Sequence, residues 1–138
     1  MGCDVHAAFE VKINNKWEHY SIPNINRNYA LFEKMAGVRG DVSNAISPPK
    51  GLPDDISIVT KIDADWWNGD GHSHSWLSSS EYKEMYAFYK ELIGPNWWQS
   101  DYERTNYLFG NGFDDFAPGS EEYPKELQDF RLVFWFDN

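Results

Sequence analysis

The sequence predicts one α+β domain, in which a small, mainly antiparallel sheet carries two or three helices on one face. Three observations favour this fold. Both ends of the chain alternate apolar and polar residues with the period of a β-strand. A turn signal follows the first alternation, and a run in the middle repeats apolar residues at the helical spacing of three and four. We expect residues 1–138 to form a single domain, with a sheet made of an N-terminal hairpin and a C-terminal strand.

The N-terminal hairpin is predicted from the alternation of residues 3–12. Residues 13–16, with sequence Ile-Asn-Asn-Lys, form the predicted turn, because Asn tolerates a left-handed backbone. Residues 17–22 return as the second strand, and Pro23 ends it.

A short helix over residues 29–36 is predicted next, because Asn28 can cap its start and Gly37 can end it. A long loop follows, and its Pro-rich segment 48–53 cannot form regular structure. We expect a short strand over residues 56–62 after this loop.

The most strongly predicted helix runs from Ser78 to about residue 92, because Ser78 and Glu81 form a capping box ahead of an apolar stripe. A further helix over residues 97–109 and an acidic, aromatic loop over 113–124 are expected after it. The final alternation, residues 130–137, has a heavily apolar face and predicts a central strand.

Composition excludes several classes of function. The net charge is −10 and the chain has few arginines, so it lacks the basic surface that duplex nucleic acid requires. A small anionic ligand is still compatible, because one or two arginines can hold a phosphate. The single cysteine allows no internal disulfide and fits the cytoplasm. We expect no membrane partner, since no apolar run approaches the length of a membrane span.

Two pairs of residues predict a site for chemistry. Asp4 and His6 are two apart on a predicted strand, so they share a face. His72 and His74 lie in the loop-like run 70–76 and converge if that run is extended. Carboxylate and imidazole groups are ligands for Zn²⁺ and Mn²⁺, so these four residues are candidates for one divalent metal site that activates water. Asp70 is a further candidate, either as a ligand or to orient a histidine.

Two alternatives to the metal site stay open. In one, His72 or His74 acts as general acid and base without a metal, assisted by Asp70. In the other, these residues are purely structural. For a phosphate-containing substrate, the candidates to hold the phosphate are Arg27, Arg39 and Arg131. The candidates to stack on a base or sugar are Tyr29, Trp66, Trp67 and Trp76.

Short motifs along the chain resemble a family of short, uncharacterised proteins of bacteriophages and prophages, whose chains open with a Met-Gly-Cys-Asp-Ile-His type sequence. The matching segments are Gly2 to His6, Arg27-Asn28-Tyr29, Leu31-Phe32, Val38-Arg39, Gly51-Leu52-Pro53, His72-Ser73, Ser75-Trp76-Leu77 and Arg131 to Asn138. The resemblance implies a phage-encoded protein in the host cytoplasm. It implies no specific activity, because a fold or family alone does not fix function.

Together these patterns predict a phage accessory enzyme, a small phosphodiesterase-like hydrolase of a phosphate-containing molecule such as a nucleotide. The alternative is a non-catalytic binder that sequesters a host defence protein or a signalling nucleotide. The expected partner is accordingly a small phosphate-containing ligand or a host protein.

Overall fold

A computed structural model describes residues 2–23, 25, 27–93 and 129–138 of the protein. Four strands and three α-helices lie in these ranges. The strands are β1 (Asp4–Ile13), β2 (Lys16–Ser21), β3 (Gly71–Ser78) and β4 (Phe130–Asp137). The helices are α1 (Tyr29–Ala36), α2 (Ile58–Trp66) and α3 (Ser79–Ile93), with a short 3₁₀ turn over Val42–Asn44.

The four strands form one sheet in the order β2-β1-β4-β3, and every neighbouring pair is antiparallel. The predicted α+β class with an antiparallel sheet is therefore confirmed. β4 is a central strand, as its apolar pattern predicted, and all but the last of its residues are buried. Its pairing with β1 places Asp4 opposite Asp137 and Val11 opposite Phe130, so the two ends of the described chain meet in the middle of the sheet.

The predicted hairpin turn and both predicted helix caps are present. Asn14 and Asn15 have φ angles of 53° and 63°, the left-handed conformation that a tight hairpin turn needs. The Asn28 side chain accepts a hydrogen bond from the Leu31 amide at the start of α1. The Ser78 amide donates to the Glu81 carboxylate at 3.0 Å, which completes the capping box before α3.

Helices α1 and α3 pack on one face of the sheet, as predicted. They bury Leu31, Phe32 and Met85 there against the sheet residues Phe9 and Phe134. This face holds the larger of the two hydrophobic clusters that the described residues form. It supplies the main apolar burial that stabilises the fold.

Helix α2 corrects the prediction of a strand over residues 56–62. The β-branched residues of that segment favour a strand in isolation, but Ser57 caps a helix there by accepting a hydrogen bond from the Thr60 amide. Thr60 and Ala64, four residues apart, are the buried positions of α2. Ala64 packs on Val133 and Trp135, so α2 lies on the sheet face opposite α1 and α3.

The histidine run 70–76, predicted as loop-like, mostly forms the edge strand β3. The predicted helix over 97–109 and the predicted loop over 113–124 lie outside the described residues. Among the helices that are described, none combines the length and the apolar character needed to cross a membrane.

Candidate functional site

A β-bulge in β3 decides where the two neighbouring histidines lie. The β3–β4 register is interrupted there, and Ser73 has a φ of 54°, in the left-handed region. His72 lies beside the ring of Phe136, at 6.2 Å between centroids. His74 lies beside the ring of Trp135, at 6.4 Å. Because neighbouring residues of β4 point to opposite faces, the two histidines lie on opposite faces of the sheet.

The four predicted metal ligands therefore do not meet in one place. Asp4 is held by Arg27, whose Nε and Nη2 each donate to one carboxylate oxygen at 3.1 Å. His72, on the α1 and α3 face, donates from Nε2 to the Asn138 side chain at 2.9 Å. Within the described residues, no group of three or more His, Cys, Asp or Glu side chains is arranged to hold a metal ion. Binding of Zn²⁺ or Mn²⁺ stays a prediction without a geometric basis in this part of the chain.

His6 instead forms a close pair with Asp137. The distance from His6 Nε2 to Asp137 Oδ2 is 2.5 Å, and the two side chains are 26% and 16% exposed. The ring of Trp67 stacks on the imidazole at 4.0 Å with an interplanar angle of 25°. Because an ionised carboxylate only accepts hydrogen bonds, Nε2 carries the proton and Nδ1 is the ring nitrogen that remains to exchange one. An Asp that fixes a His tautomer in this way is the orienting element of His-based catalytic groups.

A tight turn after α2 positions Trp67 over His6. The Trp67 carbonyl accepts hydrogen bonds from the amides of Asp70 and Gly71, at 3.0 and 2.6 Å. Gly69, which lies between Trp67 and Asp70 in the turn, has a φ of 87°, which glycine adopts without strain. Asp70, a predicted catalytic residue, contributes its backbone to this turn while its side chain is exposed.

His74 lies on the same face as His6. Its pKa is lowered from the ordinary value of 6.5, chiefly by burial and further by the nearby charges of His72 and Lys61. Gly71 makes room for the ring, because a Cβ at that position would lie 3.3 Å from His74 Nε2. His74 is therefore neutral at pH 7, and neither ring nitrogen is hydrogen-bonded within the described residues. A neutral imidazole of this kind can accept a proton.

Trp135 lies between the two histidines. It is opposite His6 in the β1–β4 register, and its ring centroid is 6.2 Å from that of His6. The indole is fully buried, and its N–H has no acceptor within the described residues. Because β1 and β3 are two strand spacings apart, His6 and His74 are separated by about 10 Å at the backbone.

Arg131, predicted to hold phosphate, is occupied by other groups. Its Nε donates to Glu10 at 2.8 Å, and its Nη1 donates to Asp55 at 2.8 Å. Its Nη2 lies 2.7 Å from Glu10 Oε1, and Trp17 covers the guanidinium plane at 4.0 Å. The side chain is buried, and its position near the start of β4 is about 20 Å along the strand from Asp137. Its role is to hold the segment before α2 on the sheet.

The other predicted substrate contacts differ in how accessible they are. Trp76 is covered by Lys50, whose Nζ lies 3.9 Å from the ring centroid. Arg39 lies over the ring of Tyr29 at 5.2 Å. Arg27 is half-exposed at the end of the sheet that holds His6, and its Nη1 has no partner within the described residues. Among the predicted arginines, Arg27 combines a half-exposed side chain with a position at the His6 end of the sheet.

Asp137 and Trp135 are the site residues that sequence reasoning missed. Both lie in the predicted central strand, where the alternating pattern indicated only packing. The signal that could have found them is the strand alternation itself, since Asp137 and Trp135 share a face. Pairing that face with His6 requires the β1–β4 register, which the sequence alone does not supply.

Comparison of the chain with known proteins gives no match. No protein-family model matches the chain, and neither a curated protein nor a solved structure matches it. The resemblance to phage proteins therefore stays a prediction, and the site is the basis for any functional proposal.

Proposed function

We propose that the protein is a small, metal-independent hydrolase in which the His6–Asp137 pair and His74 act as acid and base on a phosphate-containing substrate such as a nucleotide. One observation carries this proposal. The 2.5 Å pair of His6 with Asp137 lies in the same cross-strand row as His74, whose pKa is lowered by burial. Two imidazoles in different environments are suited to divide the acid and base roles.

The roles follow from the surroundings of each ring. Neutral His74 takes a proton from the attacking water. His6 in its protonated form donates a proton from Nδ1 to the leaving oxygen, while Asp137 stabilises the positive charge on the ring. Each positioned acid or base supplies about 10²- to 10⁴-fold of rate enhancement.

The choice of a small phosphate-containing substrate is supported by charge. Arg27 offers Nη1 at the same end of the sheet, close to Gly2. The net charge of −10 repels a long polyanion more strongly than a small anion, which favours a mononucleotide or a short linear or cyclic dinucleotide as the substrate. This proposal agrees with an accessory role in a phage-infected cell, which the sequence resemblance also predicts.

The test is turnover of a panel of linear and cyclic nucleotides in the presence of EDTA, followed by product analysis. We expect His6→Gln, His74→Gln and Asp137→Asn each to lower kcat at least about 100-fold. The matched controls are His19→Gln, whose ring is hydrogen-bonded to Thr60 on the α2 side of the hairpin, and Asp129→Asn, at the other end of β4.

Two results would contradict the proposal. One is full turnover in the His6 and His74 variants. The other is turnover that EDTA abolishes and added Zn²⁺ or Mn²⁺ restores, which would move the chemistry to a metal centre.

A non-catalytic binder of a signalling nucleotide is the second candidate. The observation that favours it is the stacking of His6 on Trp67 beside the buried Trp135, since aromatic surroundings bind planar bases. Recovery of unchanged nucleotide after the protein is incubated and then denatured would support the binder. Release of a cleaved product would support the hydrolase.

A further inference from the structure

The outward side of α2 is apolar. Thr60 and Ala64 are buried beneath the helix, so the opposite side faces away from the sheet. Four large apolar side chains lie on that outward side and are mostly exposed, namely Ile58 (73%), Val59 (56%), Ile62 (65%) and Trp66 (82%). We refer to these four residues as the α2 stripe.

The α2 stripe is continuous along the helix. Ile58, Ile62 and Trp66 are four residues apart and therefore lie in one line, with Val59 beside them. A helix on the surface of a protein normally carries polar residues on its outward side. A contiguous patch of this size marks an interaction surface, whereas single exposed apolar residues need no explanation.

The helix that carries the stripe is anchored to the sheet at its first turn, so the helical backbone is in place before any partner binds. The Ser57 amide at the start of α2 donates to the buried Glu10 carboxylate at 2.9 Å. Thr60 is hydrogen-bonded to His19 of β2 at 3.1 Å. A preformed surface loses little conformational entropy on association.

We propose that the α2 stripe binds the α2 stripe of a second copy of this chain, with the two helices antiparallel around a two-fold axis near Ile62. In this arrangement Ile62 meets its symmetry mate, and Ile58 of each copy meets Trp66 of the other. The pattern is symmetric about Ile62, with one large apolar residue four positions to each side, and an isologous interface requires such self-complementarity.

The charges along the stripe also complement themselves. Lys61 and Asp65 form an ion pair of 2.5 Å along one edge of the stripe. When two such edges lie side by side and antiparallel, each Lys61 lies between its own Asp65 and the partner's Asp65. The edge therefore contributes attraction between two copies, although the net charge of −10 on each copy opposes association at low salt.

The size of the stripe sets the expected strength of the dimer. Four side chains at these exposures offer on the order of 500 Å² per copy, whereas a standard specific interface buries about 800 Å² per partner. We therefore expect a weak dimer with a Kd on the order of 10 μM.

The test is sedimentation equilibrium of the full chain from about 1 to 500 μM. We expect reversible dimerisation that raising NaCl from about 0.05 to 0.5 M strengthens, because salt screens the like net charges and favours apolar burial. Ile62→Glu should weaken the dimer at least about 30-fold. The control is Ile22→Glu, which introduces the same charge at an equally exposed residue (64%) outside the stripe. Thermal unfolding of both variants checks that they fold.

Charge variants separate this two-fold arrangement from general stickiness. Lys61→Glu should weaken the dimer, and adding Asp65→Lys to it should restore the dimer, since both pairings across the axis are regained. A protein that stays monomeric to 500 μM would overturn the proposal, as would equal weakening by Ile22→Glu and Ile62→Glu. Binding of the stripe to neutral lipid vesicles by a purely monomeric protein would overturn it in favour of a membrane surface.

Discussion

At the scale of single residues, Ser73 determines on which face of the sheet His72 and His74 lie. It occupies the left-handed region at a φ of 54°, and the bulge it forms sends His74 to the face of His6 and His72 to the other face. In a regular strand the two histidines would share a face, as the sequence predicted. A residue with a positive φ in a strand cannot be identified from a Ser-His-Ser pattern, so this part of the site was not predictable.

The conformation of Ser73 gives a stability prediction. Ser73→Gly should leave the free energy of unfolding unchanged or raise it, because glycine adopts a positive φ without a steric penalty. Ser73→Val should lower it by about 1–2 kcal/mol, since a Cβ-branched residue is disfavoured there. Urea denaturation measures both. Equal stability of the two variants would show that Ser73 does not hold the left-handed conformation.

His74 gives a prediction on pH. Its folded pKa lies below 6.5, so the unfolded chain binds more protons than the folded one as the pH falls below 6.5. The contribution of His74 therefore lowers the free energy of unfolding progressively below pH 6.5 and is absent above it. Denaturation at a series of pH values should show a shallower loss of stability below pH 6.5 in His74→Gln than in the wild type.

In the proposed hydrolase, the acid limb of kcat should also lie below pH 6.5, because His74 acts in its neutral form. The same dependence of the free energy of unfolding or of kcat on pH in the wild type and in His74→Gln would contradict the role given to His74.

At the scale of elements, helix α2 shows that a local sequence pattern can predict the wrong secondary structure. Helices α1 and α3 carry their own start and stop signals in Asn28, Gly37 and the Ser78 capping box, so they were predictable. The sequence of the α2 segment predicts a strand because Ile58, Val59 and Ile62 are β-branched. The buried ion pair of Glu10 and Arg131, from two central strands, helps to hold the segment before it in place. Tertiary contacts therefore override a local preference there.

The ion pair predicts a large stability effect. Arg131→Met leaves the Glu10 carboxylate buried without its charged partner, which should lower the free energy of unfolding by about 3–5 kcal/mol. The double variant Glu10→Gln with Arg131→Met should recover much of this loss, because no unpaired charge is then buried. Guanidinium denaturation provides the measurement. Arg27→Met, which removes an exposed ion pair, is the control and should change stability little. If Arg131→Met were as harmless as the control, the buried pair would not anchor the segment.

The whole molecule is organised by the pairing of its first and last described strands. Alternation of polarity predicted β1 and β4 as strands, and the apolar weight of β4 predicted its central position. The partnership of His6 with Asp137 depends on a register between residues 131 apart in the chain. Such long-range register is set by packing of the entire sheet, so the sequence predicted the strands and one member of the pair but not the pair itself.

The most direct test of this account is the ¹⁵N–¹H NMR spectrum of the histidine rings, because it reports the tautomer of each imidazole and needs no substrate. The wild type should show His6 protonated at Nε2 with a slowly exchanging proton, since Asp137 accepts from it under Trp67. Asp137→Asn should remove that signal, and Asp129→Asn at the other end of β4 should leave it unchanged. A His6 ring protonated at Nδ1 in the wild type, or the same spectrum in Asp137→Asn, would contradict the central claim that Asp137 fixes His6 for acid–base chemistry.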